Sequence, residues 1–155
     1  MTKKHISYLV FQAVAIAFLI QIACAGDNTE ISKCSRCLMT IENSMKKFSV
    51  TTPGRVVPAA FDDISCALLF RNGLCAMDTM EFDNAATVYD YYTGESIKMT
   101  AAVYVTGSLV KTPMASGIIA FKDKASAEKF LAEQGRGKIL LFDALAVLDL
   151  KTLNK

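Results

Sequence analysis

The sequence predicts an α+β fold: two similar strand-strand-helix halves, packed as a single small domain behind an N-terminal signal segment. Three observations predict it. Ala60-Phe61-Asp62-Asp63, followed by Ala67 and Phe70, returns sixty residues later as Ala120-Phe121-Lys122-Asp123, followed by Ala127 and Phe130. Each copy follows a β-prone run and opens a helical pattern. No low-complexity linker divides the chain, and 155 residues suit one domain. The expected division is a signal at 1–25 and a domain at 26–155, with the repeat at about 48–75 and 103–142.

Taken in order, Thr2-Lys3-Lys4-His5 is a short positive region, and an apolar run from Tyr8 to Ala23 is broken only by Gln12 and Gln21. Ala23-Cys24-Ala25 is a small-x-small site that places cleavage before Gly26. Sixteen residues with two glutamines are short for a membrane span, and no basic cluster follows them. Cys24 offers a second route, acylation of a lipoprotein-type N-terminus, although Gln21 stands where an aliphatic residue is usual. Strands are expected at 48–52, 87–92, 99–106 and 138–142, where β-branched and aromatic residues concentrate. Helices are expected after Asp63 and Asp123, whose carboxylates suit N-caps, with Gly73 and Gly135 ending them in left-handed geometry. A short helix closes the chain at 143–150.

Composition excludes much. Lys3 and Lys4 supply the whole excess of 17 basic over 15 acidic groups, so residues 26–155 are neutral overall. A neutral chain has no electrostatic footprint for nucleic acid and no charge-driven attraction to anionic lipid. The one histidine, His5, lies in the expected leader, and there is no tryptophan. Without imidazole there is no Ser-His-Asp or Cys-His nucleophile, and no His-ligated zinc, copper or iron.

The strongest chemical signal is Cys34-Ser35-Arg36-Cys37-Leu38-Met39. Two thiols at i and i+3 can face one centre from a tight turn, and the Met39 thioether follows. An exported thiol pair needs a reason to escape oxidation. Four explanations compete. One is a structural disulfide, within the pair or to Cys66 or Cys75. A second is zinc held by Cys34, Cys37, Cys66 and Cys75 as a structural module. A third is a thiol–disulfide oxidoreductase, although no strand precedes the motif. The fourth is a Cu(I) site, because this soft ion prefers thiolate and thioether and accepts two or three ligands. Met114, in the polar loop Lys111-Thr112-Pro113-Met114-Ala115-Ser116, is a ligand candidate. Met77, Met80 and Met99 read as core filler, and Met45 as surface. Asp62 and Asp63 read as capping rather than metal-binding, because Asp123 recurs at the equivalent place. Cys66 is expected to be buried or paired.

The cysteine–methionine motif, Phe61-Asp62-Asp63, Ala102-Val103-Tyr104-Val105 with Gly107-Ser108, Thr112-Pro113-Met114, Ala120-Phe121 and the segment 135–142 follow one another in an order that resembles the NosL family. These are the copper-binding accessory proteins of nitrous oxide reductase. The match runs from about Cys34 to Leu145. The resemblance implies an exported metallochaperone, not an enzyme, periplasmic or lipid-anchored on the outer side of the membrane. It implies one Cu(I), a copper-receiving enzyme (nitrous oxide reductase) and a membrane transporter complex as partners, and no nucleic acid. The family motif is usually Cys-Gly-Met. Carried over, the implied ligands are Cys37, Met39 and Met114, with Cys34 able to contribute. Leu38 stands where the family has glycine, and Cys66 and Cys75 are additional thiols.

Overall fold

The structure is a computed structural model that describes residues 33–53 and 59–150. The expected leader, its lipoprotein site and the β-prone run at 55–57 lie outside the described residues.

A 3-10 turn at Asn43–Phe48 leads into β1 (Val50–Thr51), β2 (Ala60–Phe61), α1 (Ile64–Arg71) and α2 (Ala76–Ala85). Then come β3 (Thr87–Tyr89), β4 (Ser96–Lys98), a 3-10 turn at Met99–Ala101 and β5 (Val103–Thr106). β6 (Ile119–Phe121), α3 (Lys124–Gln134), β7 (Lys138–Leu141) and α4 (Phe142–Ala146) complete the domain. The strands form two antiparallel sheets, in the orders β2-β1-β3-β4 and β6-β5-β7.

The α+β architecture is the one expected, and each half gains a strand. In both sheets the first strand of the repeat is central, flanked by the second strand and by the strand that follows the helix. The shared unit is therefore strand-strand-helix-strand. Its signature phenylalanines explain the spacing. Phe61 meets Phe70 with centroids 5.2 Å apart at 51°, and Phe121 meets Phe130 at 5.2 Å and 48°. Ala67 and Ala127, three residues before the helical phenylalanines, share the inward face and let each helix approach its sheet. Asp63 Oδ1 accepts from the Ser65 N–H at 2.8 Å and Asp123 Oδ1 from the Ser126 N–H at 2.7 Å, capping both helices.

The core has two parts, and the second sheet separates them. Val103, Val105, Ile119 and Phe121 pack with Ala127 and Phe130 on its α3 side. Tyr104, Ile118 and Ala120, the alternate residues, join Val50, Phe61, Leu68 and Phe82 on the other side. A sheet covered on both faces needs continuous apolar strands, which is why β5 and β6 read as unbroken hydrophobic runs.

Several expectations are corrected. Gly135 closes α3 in left-handed geometry (φ 66°), but α1 ends one residue before Gly73, at Asn72 with φ −68°. The chain there runs through further turns into α2, with Gly73 N–H on Phe70 O and Leu74 N–H on Arg71 O, so no left-handed reversal is needed. α2 and β4 were not anticipated. Met77 and Met80, expected in the core, stand on α2 at 81% and 67% exposure, whereas Met99 is fully buried. Met45, expected at the surface, is half-buried. The strand expected at 87–92 stops at Tyr89, because Asp90 Oδ1 accepts from the Tyr92 and Thr93 N–H groups and turns the chain. The strands expected at 48–52 and 99–106 both lose their first residues to 3-10 turns, and the last helix spans only Phe142–Ala146.

Candidate metal centre

Residues 33–40 form a tight turn closed by an isolated bridge between Lys33 and Thr40. Inside it the Cys34 N–H donates to Met39 O at 2.8 Å and the Leu38 N–H to Cys34 O at 3.0 Å. The turn docks on β2. The Ser35 N–H donates to Ala60 O at 2.8 Å, and Ser35 Oγ accepts from the Ala60 N–H at 3.3 Å. This covers the backbone edge of an outer strand. It also carries Cys37 to the corner where β2 becomes α1.

Asp62 and Cys66 sit at that corner. The Cys37 thiol donates to Asp62 Oδ2 at 3.3 Å. One donor atom each from Cys34, Cys37, Asp62 and Cys66 lie within 4.8 Å of one another. Cys34, Asp62 and Cys66 are buried, and Cys37 is half-buried, so the group opens through Cys37. Cys66 is the third residue of α1, so the positive end of that helix faces the thiols. Asp62 Oδ1 is buried with no hydrogen-bond partner.

Asp63 does different work. Its Oδ1 accepts from the Ser65 N–H and hydroxyl and from Ser116 Oγ, at 2.8, 2.7 and 2.8 Å. Its Oδ2 accepts from the Met114 N–H at 3.0 Å. The cap of α1 thus also anchors the β5–β6 loop. Thr112 tightens that loop further, its Oγ1 accepting from the Ser116 and Gly117 N–H groups. Gly117 is required there: its φ is +62°, and a Cβ would meet Ser108 O at 2.7 Å.

Of the residues singled out from sequence, Cys34 and Cys37 therefore come together. Met39 is bound to them through its backbone, and the residue is 49% exposed. Met114 lies on the neighbouring loop, tied to the residue beside Asp62, and is 37% exposed. Two members of the group, Asp62 and Cys66, were not assigned to it from sequence. Asp62 was read as a cap, but a helix has one N-cap position and Asp63 fills it. The signal was the repeat itself: Lys122 and Ser126 occupy the equivalent places, so neither a carboxylate nor a thiol is needed there for the fold. The four-cysteine zinc arrangement is corrected, since Cys75 is the exposed N-cap of α2 and Asp62 stands in its place. The disulfide reading is corrected too: Cys34, Cys37, Cys66 and Cys75 are free thiols, Cys66 buried and unpaired.

Burial holds the Cys37 thiol above its ordinary value, against the opposing Met39 N–H; Cys34 and Asp62 nearby push the same way as burial. Burial pushes the Cys66 thiol up strongly, with Cys34 and Asp62 adding to it. The motif does not open a helix: residues 35–37 form a turn, and the first helical segment after it is the 3-10 turn at Asn43–Phe48. That does not suit an oxidoreductase, whose motif opens a helix that lowers the first cysteine's pKa. A soft cation, by contrast, displaces thiol protons on binding.

Residues 27–147 match the family described as NosL. The chain belongs to the NosL family. No curated protein matches it. A crystal structure described as the copper chaperone NosL from Shewanella denitrificans has a similar fold, with a TM-score of 0.55 at 22% identity over 72% of this chain and 87% of that one. The resemblance gives the NosL motif as Cys-Gly-Met, and this chain has Leu38 at the glycine. Leu38 adopts φ +65°, the left-handed region glycine enters freely. The turn keeps a glycine-like backbone at a steric cost of about 1 kcal/mol.

Proposed function

We propose that this protein is an exported Cu(I) metallochaperone that carries the ion on cysteine and methionine sulfur and delivers it to a copper enzyme, nitrous oxide reductase, beside a membrane transporter complex. It acts outside the cytoplasm, periplasmic or held at the membrane by its N-terminus. It is a carrier rather than a catalyst. Membership of the NosL family supports this reading, as does the description of the similar Shewanella protein as a copper chaperone. The observation that carries it is the convergence of the Cys34 and Cys37 thiols at a point that opens through Cys37, with the Met39 backbone closing on both.

The ligands are Cys37, Met39 and Met114, with Cys34 contributing. Thiolate and thioether suit Cu(I), and two or three ligands suffice. The surface position of the thioethers favours ligand exchange: a recipient's ligand enters through the Cys37 side before the carrier's own ligands leave. Burial of Cys34 keeps the opposite side shut.

Anaerobic titration with Cu(I) against a competing chelator tests this. One ion per chain is expected, and Cys37→Ser and Met39→Ala each weaken binding by about tenfold or more, equivalent to about 1.4 kcal/mol. Wild-type affinity in both variants overturns the ligand set. Failure of the loaded protein to transfer copper to metal-free nitrous oxide reductase overturns the recipient.

A further inference from the structure

We propose that Cys34, Cys37, Cys66 and Asp62 form a second, four-donor site that takes a divalent cation of the zinc class. The inference goes beyond the copper reading and does not rest on it.

Geometry is the first argument. A tetrahedral zinc site with Zn–S near 2.3 Å has donor atoms about 3.8 Å apart. Here the four donor atoms are already within 4.8 Å of one another, so contraction of about 1 Å by side-chain rotation completes the tetrahedron. Two donors come from the 33–40 turn and two from the β2–α1 corner, so they surround a point from two sides.

The carboxylate is the second argument. Asp62 is buried, and its Oδ1 has no hydrogen-bond partner, which is costly for a desolvated oxygen. Such an atom calls for a specific cause. Capping is not the cause, because Asp63 caps α1. The fold is not the cause, because Lys122 stands at the equivalent corner of the second half. A carboxylate is a poor ligand for Cu(I) and a good one for zinc, so Asp62 selects a harder ion than the thioethers do.

Charge is the third. Three thiolates and a carboxylate need a dication rather than a monocation, and the N-terminus of α1 offsets part of the remainder. Cys34 and Cys37 belong to both ligand sets. The two ions therefore exclude each other, and a zinc-class ion competes with Cu(I) for this protein.

The test uses the full chain, reduced and metal-free, titrated with Co²⁺ as a spectroscopic probe and then with Zn²⁺. One Co²⁺ per chain is expected, with the strong visible bands of tetrahedral cobalt and near-ultraviolet sulfur-to-cobalt charge transfer, all lost when equimolar Zn²⁺ is added. Cys66→Ser and Asp62→Asn each weaken Zn²⁺ binding at least about tenfold. Cys75→Ser, at an exposed thiol outside the group, does not. Both site variants are conservative, and Ser126 shows that α3 carries serine at the place of Cys66; circular dichroism of each variant confirms that it folds. Weak, six-coordinate cobalt spectra overturn the proposal, as does wild-type zinc affinity in Cys66→Ser and Asp62→Asn. Loss of zinc binding in Met39→Ala overturns it too, because a thioether is not a zinc ligand. Failure of the zinc titration with Cu(I) binding intact sinks only this site; the reverse sinks only the copper reading.

Discussion

At position 62 the first half of the repeat carries aspartate, and at the equivalent position 122 the second half carries lysine; at 66 and 126 they carry cysteine and serine. The surrounding scaffold barely differs. Both halves pair their phenylalanines at 5.2 Å, and both cap the helix with aspartate. What separates them is side chains at one corner, and only the first half's corner lies under the cysteine turn. A metal-binding group can therefore be written onto a strand–helix junction without altering the junction, provided the residues changed bear no structural duty.

The cap aspartates offer the sharpest way to break this comparison. Asp63 is buried and accepts four hydrogen bonds, two of them from the loop that carries Met114. Asp123 is exposed and accepts from the Ser126 N–H. Asp63→Ala is expected to lose about 3 kcal/mol in urea unfolding, because it strands buried donors. Asp123→Ala is expected to lose clearly less. Equal losses would mean that Asp63 is an ordinary cap and that the Met114 loop is held by other means.

Asp90 gives the next effect. It accepts from the Lys122 N–H at 2.8 Å, so the second half's corner is held by a carboxylate from the β3–β4 turn. Burial works against the Asp90 charge, yet the bonds from Lys122, Thr93 and Tyr92 outweigh it and hold the carboxyl below its ordinary value. Its stabilisation is therefore complete above about pH 4 and lost as pH falls through the lower folded value. Asp90→Asn is expected to cost about 2 kcal/mol at pH 7, and less in acid, where the wild type loses the same charge. Denaturation curves from pH 7 to pH 3 check this, and a gap between the two proteins that stays constant across that range counts against it.

The smallest effect falls on the turn that the second half lacks at its corner. Leu38→Gly removes a left-handed leucine and should raise stability by up to about 1 kcal/mol, read from the urea midpoint. A lower midpoint would mean that the exposed leucine side chain contributes packing that outweighs its backbone.

These contrasts also explain what the sequence could disclose. The repeat, both caps and the phenylalanine spacing were legible because each is set within ten residues by periodicity and capping chemistry. α2 was not. Only Phe82 of that helix is buried, and Arg71 grips Asp83 from α1 with two contacts of 2.6 Å, so its packing rests on partners outside the segment. At the site, the spacing of Cys34 and Cys37 announced a centre. Asp62 and Cys66 joined it only through docking of a turn on an outer strand more than twenty residues away, which no local pattern encodes. The adjacent aspartates looked like one feature, and only three-dimensional context divides their labour.

The turn holding Cys34 and Cys37 is stitched to the body through Ser35 and a thiol-to-carboxylate bond. An ion bridging that turn and the β2–α1 corner closes a ring of polypeptide between residues 37 and 62, much as a covalent cross-link does. A zinc-class ion held there would become part of the architecture. The turn is already docked by these bonds, and a bound ion would add to that anchorage, so the grip on the ion and the hold on the turn would share a single free energy.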